Sequence, residues 1–407
     1  MKIRSITYFV NVGWPLNEAK IQTASLFLKQ CRAIFEEAGY EVQTTRLASY
    51  PFSTILGPDS IGLAPRMAQK LGNLIQAAGI DYAALGPATP EVPESYEMIP
   101  DSIAASKNVF FSGEMATAEK GISLPAIRAC AEVIVRNATV APDGFANLRF
   151  SALANVPAGG PFFPGAYHNQ VDGTTFSLAI ECADLAVAAF GSAKTIEEGR
   201  NALIAELEMH GRKLAAAAEP LKYQFNIKFG GIDFSLAPFP GETASLGGAM
   251  ERLGVPKVGL LGSLTTAAIL TESIDRADFP RAGFCGFMAP VLEDSILSAR
   301  AAEGSLTVRD LLMYSAVCGT GLDTVPLPGD VTAAQLSALL LDISALAMRL
   351  NKPLTARLMP VPGKQAGDVT AFEFDYFANS KIMAIESQGL GKLLATDEVF
   401  SLHPRKS

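Results

Sequence analysis

The residues best suited to chemistry sit in short stretches stiffened by glycine and proline. His168 ends the run GGPFFPGAYH at 159–168. An imidazole exchanges a proton near neutral pH, which makes His168 a proton-transfer candidate, with Tyr167, Asn155 and Asp172 close enough in sequence to orient it. A second run, GLDTVPLPGD at 321–330, reads as a rigid loop between two helices, because glycine permits positive φ while the proline ring locks φ at a negative value. It carries Asp323 and Asp330, either of which would orient a polar partner or a cation, and Cys318 lies just before it. Cys318 is the alternative reactive group, a nucleophile if a cation or a helix start lowers its pKa. Glu293, in PVLED at 290–294, follows an expected strand and would serve as a general base or a metal ligand. With Asp323 and Asp330 it would form an oxygen-rich site of the kind a divalent cation such as Mg²⁺ takes.

Around this catalytic set lie residues fitted to hold an anionic ligand. The stretches APFPGET at 237–243 and GSLTT at 262–266 each end an expected strand and open an expected helix. Free N–H groups at a helix start favour an anion, and Glu242, Thr243, Ser263, Thr265 and Thr266 add polar side chains there. Arg149 and Asn155 border the His168 loop. Arg357 and Lys364 flank PVPG at 360–363 and would make a cationic lip for an acidic substrate. Neither GxxxxGK[ST] nor GxGxxG occurs, so no nucleotide is indicated, and no haem motif is present. GxSxG, HExxH, DFG and the EF-hand loop are absent too.

These residues need a frame, and the apolar pattern supplies one. Strands are expected at 2–12, 41–47, 80–86, 108–112, 148–156, 174–181, 224–236, 257–261, 283–288 and 354–361, with further strands at 371–374 and 381–385. Helices alternate with most of them. Asn17, Thr195 and Thr332 stand at expected N-caps, the last two with Glu198 and Gln335 at capping-box spacing. Alternation with short links is the pattern of an α/β protein with a largely parallel sheet. Both halves run as βα series, so 1–407 reads as a single domain whose halves, about 1–220 and 221–407, pack as one body.

Composition narrows the function classes. Of 407 residues, 49% are hydrophobic and 18% charged, and the net charge is −8. The acidic balance and the lack of basic runs argue against nucleic acid and anionic membranes as partners. Mean hydropathy of +0.24 points to a large core or to subunits that cover one another, and a homodimer is expected. Five scattered cysteines without a CxxC fit reduced thiols and a cytoplasmic location. The most apolar helix, at 336–350, carries Asp342 and Arg349 and reads as too short to span a bilayer.

Eight segments, in order along nearly the whole chain, resemble one family of bacteria and archaea, domain-of-unknown-function family 711. They are IRSIT at 3–7, IDYAALGPA at 80–88, ANVPAGGPFFPGAYH at 154–168, FSLAPFPGET at 234–243, GSLTTAAIL at 262–270, APVLED at 289–294, CGTGLDTVPLPGD at 318–330 and TARLMPVPGKQAGD at 355–368. The resemblance implies a pyruvate formate-lyase-like fold, a ten-stranded α/β barrel made of two five-stranded halves with loops entering the lumen. It implies no reaction. The glycyl radical motif of the RVxGY kind is absent from the C-terminal region, so the chain is not a glycyl radical enzyme by motif. Cys318 invites comparison with the lumen cysteine of those enzymes by analogy of fold. The expectation is a cytosolic enzyme, a lyase, hydrolase or isomerase, acting on a small acidic metabolite in the lumen. The alternative is a non-catalytic small-molecule sensor or binding protein.

Overall fold

The computed structural model describes residues 1–169 and 173–404. Its frame is one mixed sheet of eleven strands. In chain order these are β1 (Lys2–Phe9), β2 (Val42–Ala48), β3 (Tyr82–Ala88), β4 (Val109–Thr117), β5 (Gly121–Ser123), β6 (Phe150–Ala154), β7 (Thr175–Glu181), β8 (Lys228–Ala237), β9 (Gly321–Pro328), β10 (Leu354–Val361) and β11 (Val399–Phe400). The main path runs β8-β7-β1-β2-β3-β4-β6-β10-β9, with β5 and β11 as a small extension beyond β4.

Strands β1, β2, β3, β4 and β6 run parallel to one another. The direction reverses at β7, which is antiparallel to β1, and at β10, which is antiparallel to β6. The reversal in sequence therefore falls between β6 and β7, while residue 220 lies inside the helix Ile196–Phe225. The ladders leave β8 and β9 as the two edges, so the sheet is not closed. Segment 280–291, expected to hold a strand at 283–288, lies between those edges and makes isolated parallel bridges to each, Ile232 to Arg281 and Pro290 to Asp323. Buried Asp233 pins this segment: its carboxylate accepts from the backbone N–H of Phe284 at 2.7 Å and of Cys285 at 2.9 Å. A Cβ on Gly283 would fall 2.1 Å from Asp233 Oδ2, so only glycine passes there.

Residues 321–328 form strand β9 rather than the expected rigid loop. Gly321, Pro326 and Pro328 weigh toward a turn locally, but pairing with β10 overrides that preference. Proline is tolerated because β9 is an edge strand of the ladder path. The strand expected at 257–261 is turn structure in the fold, and the stretches at 371–374 and 381–385 are irregular apart from a bridge at Lys381.

Helices cover the outer face. Glu18–Glu37 turns Ile21, Ala24, Phe27, Leu28, Cys31 and Phe35 inward, the i, i+3, i+4 stripe of an amphipathic helix, and Asn17 caps it by accepting from the Lys20 N–H. Phe27 meets Tyr8, Phe176 and Phe225 at centroid distances of 5.2, 4.9 and 5.1 Å, tying that helix to β1, β7 and the long helix. Thr332 and Gln335 complete a capping box on Ala333–Leu350. This helix is longer than expected: at 18 residues with mean hydropathy 1.4 it reaches the length and composition of a membrane span, and half of it is buried against the protein.

Candidate functional site

On the inner side of the sheet, three arginines and three carboxylates meet. Arg4 comes from β1, Arg46 from β2, Glu181 from the end of β7, Asp323 from β9, Arg357 from β10, and Glu293 from the turn after segment 280–291. Arg357 Nη2 donates to Asp323 Oδ2 at 2.9 Å and to Glu293 Oε1 at 2.7 Å, and its Nε donates to Asp323 Oδ1. Arg4 Nη2 donates to Glu293 Oε2, and Arg4 Nη1 reaches Glu181 Oε2 at 3.4 Å. Gln43 Nε2 donates to the same Glu181 oxygen at 2.8 Å. Glu293 is 4% exposed and Asp323 and Arg46 9%, so the charges are held with little water to screen them.

Two irregularities in the ladders aim these side chains. Pairing of β1 with β7 steps from Ile3–Ile180 to Ser5–Ala179, which leaves Arg4 as the extra residue. Pairing of β10 with β9 steps from Ala356–Leu322 to Leu358–Val325, so Arg357 faces both Asp323 and Thr324. An extra residue in one strand re-aims side chains that strict alternation would send to opposite faces. The second irregularity holds Thr324 at φ 40°, a left-handed conformation that a β-branched residue resists at a cost of about 1–3 kcal/mol. The turn carrying Glu293 is clamped to that same point. The Val291 N–H donates to the Asp323 carbonyl at 3.1 Å and the Leu292 N–H to Thr324 Oγ1 at 3.3 Å. The neighbouring acid has a different job: Asp294 accepts from the N–H groups of Leu246, Gly247, Ile296 and Leu297 and joins two helix starts.

The charged group forms one end of a cavity of about 730 Å³, part of which is open to solvent. Tyr82, Phe110, Phe162, Phe163, Met288 and Tyr376 line much of the remainder. Phe162 and Phe163 arrive on the loop at 155–168, which the hydroxyls of Ser5 and Thr7 tether to β1 through the Pro161 carbonyl at 3.4 and 2.9 Å. Arg46 lies under two rings, 5.0 Å from the Phe163 centroid and 5.8 Å from that of Tyr82.

Burial and neighbours split the titration of these groups. For Glu293, burial raises the pKa, but Arg4 and Arg357 together outweigh it and hold the carboxylate ionised. For Asp323, burial wins: the pull of Arg357 offsets it in part, the repulsion of Glu293 adds to it, and the pKa lies above the ordinary value. Glu181 is also raised by burial, against Arg4 and Gln43. Arg357 is pushed upward by Asp323 and Glu293 despite its burial. Arg46 is lowered to about 9, first by burial and then by the nearby Arg4 charge.

Of the residues singled out by sequence, Asp323, Glu293 and Arg357 are brought together here. His168 is not among the cavity residues; it is buried beside Phe9 and Tyr50, at ring distances of 6.1 and 5.1 Å, and its backbone N–H donates to the Ser49 carbonyl. Asp172, a suggested partner for it, lies outside the described residues. Tyr167 donates to the Val156 carbonyl at 2.8 Å. Cys318 is buried just before β9, and its carbonyl accepts from Lys352 Nζ. Arg149 is spent on the carbonyls of Ser106 and Val109. Asn155 accepts from the Ala118 N–H at 3.1 Å. Glu242 and Thr243 are exposed in a short 3₁₀ turn. Ser263 and Thr266 bond within their own turn, to the carbonyls of Leu260 and Ser263, and Thr265 is exposed. Asp330 is exposed and accepts from Gln365 at 3.0 Å; Lys364 sits in the same outer turn, away from the cavity. The loops at 155–168, 289–294 and 318–330 thus reach one cavity, and those at 237–243 and 262–266 do not.

Among the described residues no three His, Cys, Asp or Glu side chains come together as a metal-holding group. Asp330 is apart from Glu293 and Asp323, whose oxygens face arginines. Sequence reading missed Arg4, Arg46, Glu181, Gln43, Thr44, Tyr82 and Tyr376. One signal was there: Arg4 in KIRSITYF and Arg46 in VQTTRLA are cations in the interior of strands of a mainly parallel sheet, where apolar side chains are the rule on both faces.

Comparison with known sequences matches residues 1–379 to the family described as Uncharacterised ACR (DUF711). Among similar proteins, a UPF0210 protein of Pyrobaculum islandicum is 29% identical, covering 91% of this chain and 87% of its own length. One of Pyrobaculum arsenaticum is 30% identical over 82% of this chain and 77% of its own, and one of Oleidesulfovibrio alaskensis 28% over 88% and 82%.

Proposed function

The chain belongs to the Uncharacterised ACR (DUF711) family, and from that premise and its own cavity we propose that it is an enzyme acting on a small acidic metabolite, with Asp323 as the proton-transfer group. The observation that carries this reading is the pairing of two carboxylates on one guanidinium at a cavity wall, with their pKa values driven apart. Two titratable groups separated in this way are an arrangement that supplies an acid and a base in one place. Glu293 stays ionised and holds Arg4 and Arg357. Asp323, pushed up by burial, can take a proton from substrate and return it, the step shared by lyases, hydrolases and isomerases. The aromatic wall would exclude water and seat the apolar part of the substrate.

The wider frame of the proposal is a ten-stranded barrel of two five-stranded halves, with segment 280–291 as the tenth member between β8 and β9. Its support is the two bridges that segment makes and the five parallel strands on one side of the reversal. A cytoplasmic homodimer completes the proposal. It is supported by the high apolar content and by exposed Leu26, Tyr223 and Leu261, and light scattering at the mass of one chain would refute it.

The test is a mass-spectrometric screen of small carboxylic and phosphorylated metabolites incubated with wild type and with Asp323→Asn. At least one compound should be consumed by wild type and spared by the variant. Consumption by both, or binding without consumption by either, would overturn the proton-transfer role.

A further inference from the structure

Arg46 differs from the other two arginines of the cavity in having no carboxylate. Its Nε donates to Thr44 Oγ1 at 2.9 Å, and among the described residues neither Nη1 nor Nη2 has a hydrogen-bond partner. The side chain is nine-tenths buried and lines the cavity. Phe163 and Tyr82 lie beside the guanidinium, 5.0 and 5.8 Å from ring centroid to Cζ, and the cavity that Arg46 lines gives a ligand access to it. Thr44 is itself fixed, donating to the Arg4 carbonyl at 2.7 Å, so the guanidinium is held in place before anything binds. These N–H groups open onto the cavity, where an anion would make charge-assisted hydrogen bonds to a mostly buried guanidinium.

Charge counting limits that anion. Arg4 is answered by Glu293 and Glu181, and Arg357 by Glu293 and Asp323. Arg46 is the one with no carboxylate in ion-pair contact, and the three arginines and three carboxylates together already balance. A first negative charge is therefore held by direct contact with Arg46, and a second would meet those same carboxylates with no cation to offset it. The planar guanidinium edge matches a carboxylate with two parallel N–H···O bonds. The neighbouring surface, Phe110, Phe162, Phe163 and Met288, matches an apolar body rather than a sugar or a polyol.

We propose that Arg46 is the specificity-determining anchor of this cavity and that the ligand is a monocarboxylate with a compact apolar body. The inference rests on the reading of the cavity as the functional site. It is tested by isothermal titration calorimetry of the full chain with phenylacetate as the probe, beside phenyl phosphate and 2-phenylethylamine. Phenylacetate should bind with one site per chain and more tightly than either comparison compound. Arg46→Met should weaken it by about tenfold or more, the size of a lost charge-assisted pair. Arg46→Lys, which keeps the charge but not the two-pronged edge, should fall between. Lys364→Ala, a cation outside the cavity, should bind as wild type does. Circular dichroism melts of each variant establish that the fold is retained. Equal binding by Arg46→Met, tighter binding of phenyl phosphate or 2-phenylethylamine, or no saturable binding of phenylacetate would each overturn the inference. The proton-transfer reading is separable: a substrate spared by Asp323→Asn would keep it standing after any of those results.

Discussion

On one wall of the cavity, contributed by β1, β9, β10 and the turn at 290–293, Arg4, Glu293, Asp323 and Arg357 satisfy one another across four separate chain segments. On the other, contributed by β2, β3, β4 and the loop at 155–168, the side chains are Arg46, Tyr82, Phe110 and Phe163, with His168 packed behind them against Phe9 and Tyr50. The charged wall is assembled by strand register, and its residues lie up to hundreds of positions apart. The aromatic wall is assembled from three neighbouring parallel strands and closed by a loop whose glycines and prolines are visible in sequence. Local stiffness therefore marks where a loop is held, and ladder irregularities mark where charges converge.

The largest effect separating the two walls should come from Glu293→Ala. It leaves Arg4 and Arg357 buried without one shared partner and should destabilise the protein by about 3–5 kcal/mol in urea unfolding. Adding Arg357→Met should recover part of that loss, because the unpaired charge goes with it. A fully additive double variant would mean that the two groups are not coupled.

A second experiment addresses the support of the charged wall. Burial raises the Asp233 pKa from 3.8 to about 6 against the hydrogen bonds it accepts. A folded-state pKa above the unfolded value means that the folded protein binds the proton more tightly, so this contribution is fully present below about pH 4 and is lost as pH rises through about 6. Relative to Asp233→Asn, wild type should lose up to about 3 kcal/mol between those two pH values, since one proton bound or released changes stability by about 1.4 kcal/mol for each step of one in pH. Unfolding midpoints at several pH values measure it, and a difference that stays flat would show Asp233 ionised throughout. Asp323, raised in the same direction, is present in both proteins and drops out of that difference.

For the aromatic wall, His168→Ala should cost about 1–3 kcal/mol through lost packing, and turnover of any identified substrate should stay within about tenfold of wild type. A loss of about 10²-fold or more, with the fold intact by circular dichroism, would move the proton-transfer role from Asp323 to His168. The smallest effect belongs to an ion pair outside both walls. Lys257 and Glu303 meet at 2.7 Å with both side chains about half exposed, and Lys257→Ala should leave the urea midpoint within error of wild type. A measurable drop there would show that pairing as such, rather than burial, sets the cost of Glu293→Ala.

The sequence by itself determined the α/β class, most strands, the caps at Asn17, Thr195 and Thr332, and three members of the charged wall, Glu293, Asp323 and Arg357. Those features are local: periodicity, capping chemistry and polar residues at element ends act over a few positions and leave a readable trace. The tertiary structure alone decided that 321–328 pairs as a strand, that segment 280–291 bridges the sheet edges, and that Arg4, Arg46 and Glu181 join the site. It also placed Glu242, Thr243, Thr265, Asp330 and Lys364 elsewhere. The physical reason is that alternation tells which residues share a face within one strand but says nothing of register between strands. Here register includes the extra residues at Arg4 and at Asp323–Thr324, and a one-residue step is what turns a charged side chain from one face of the sheet to the other.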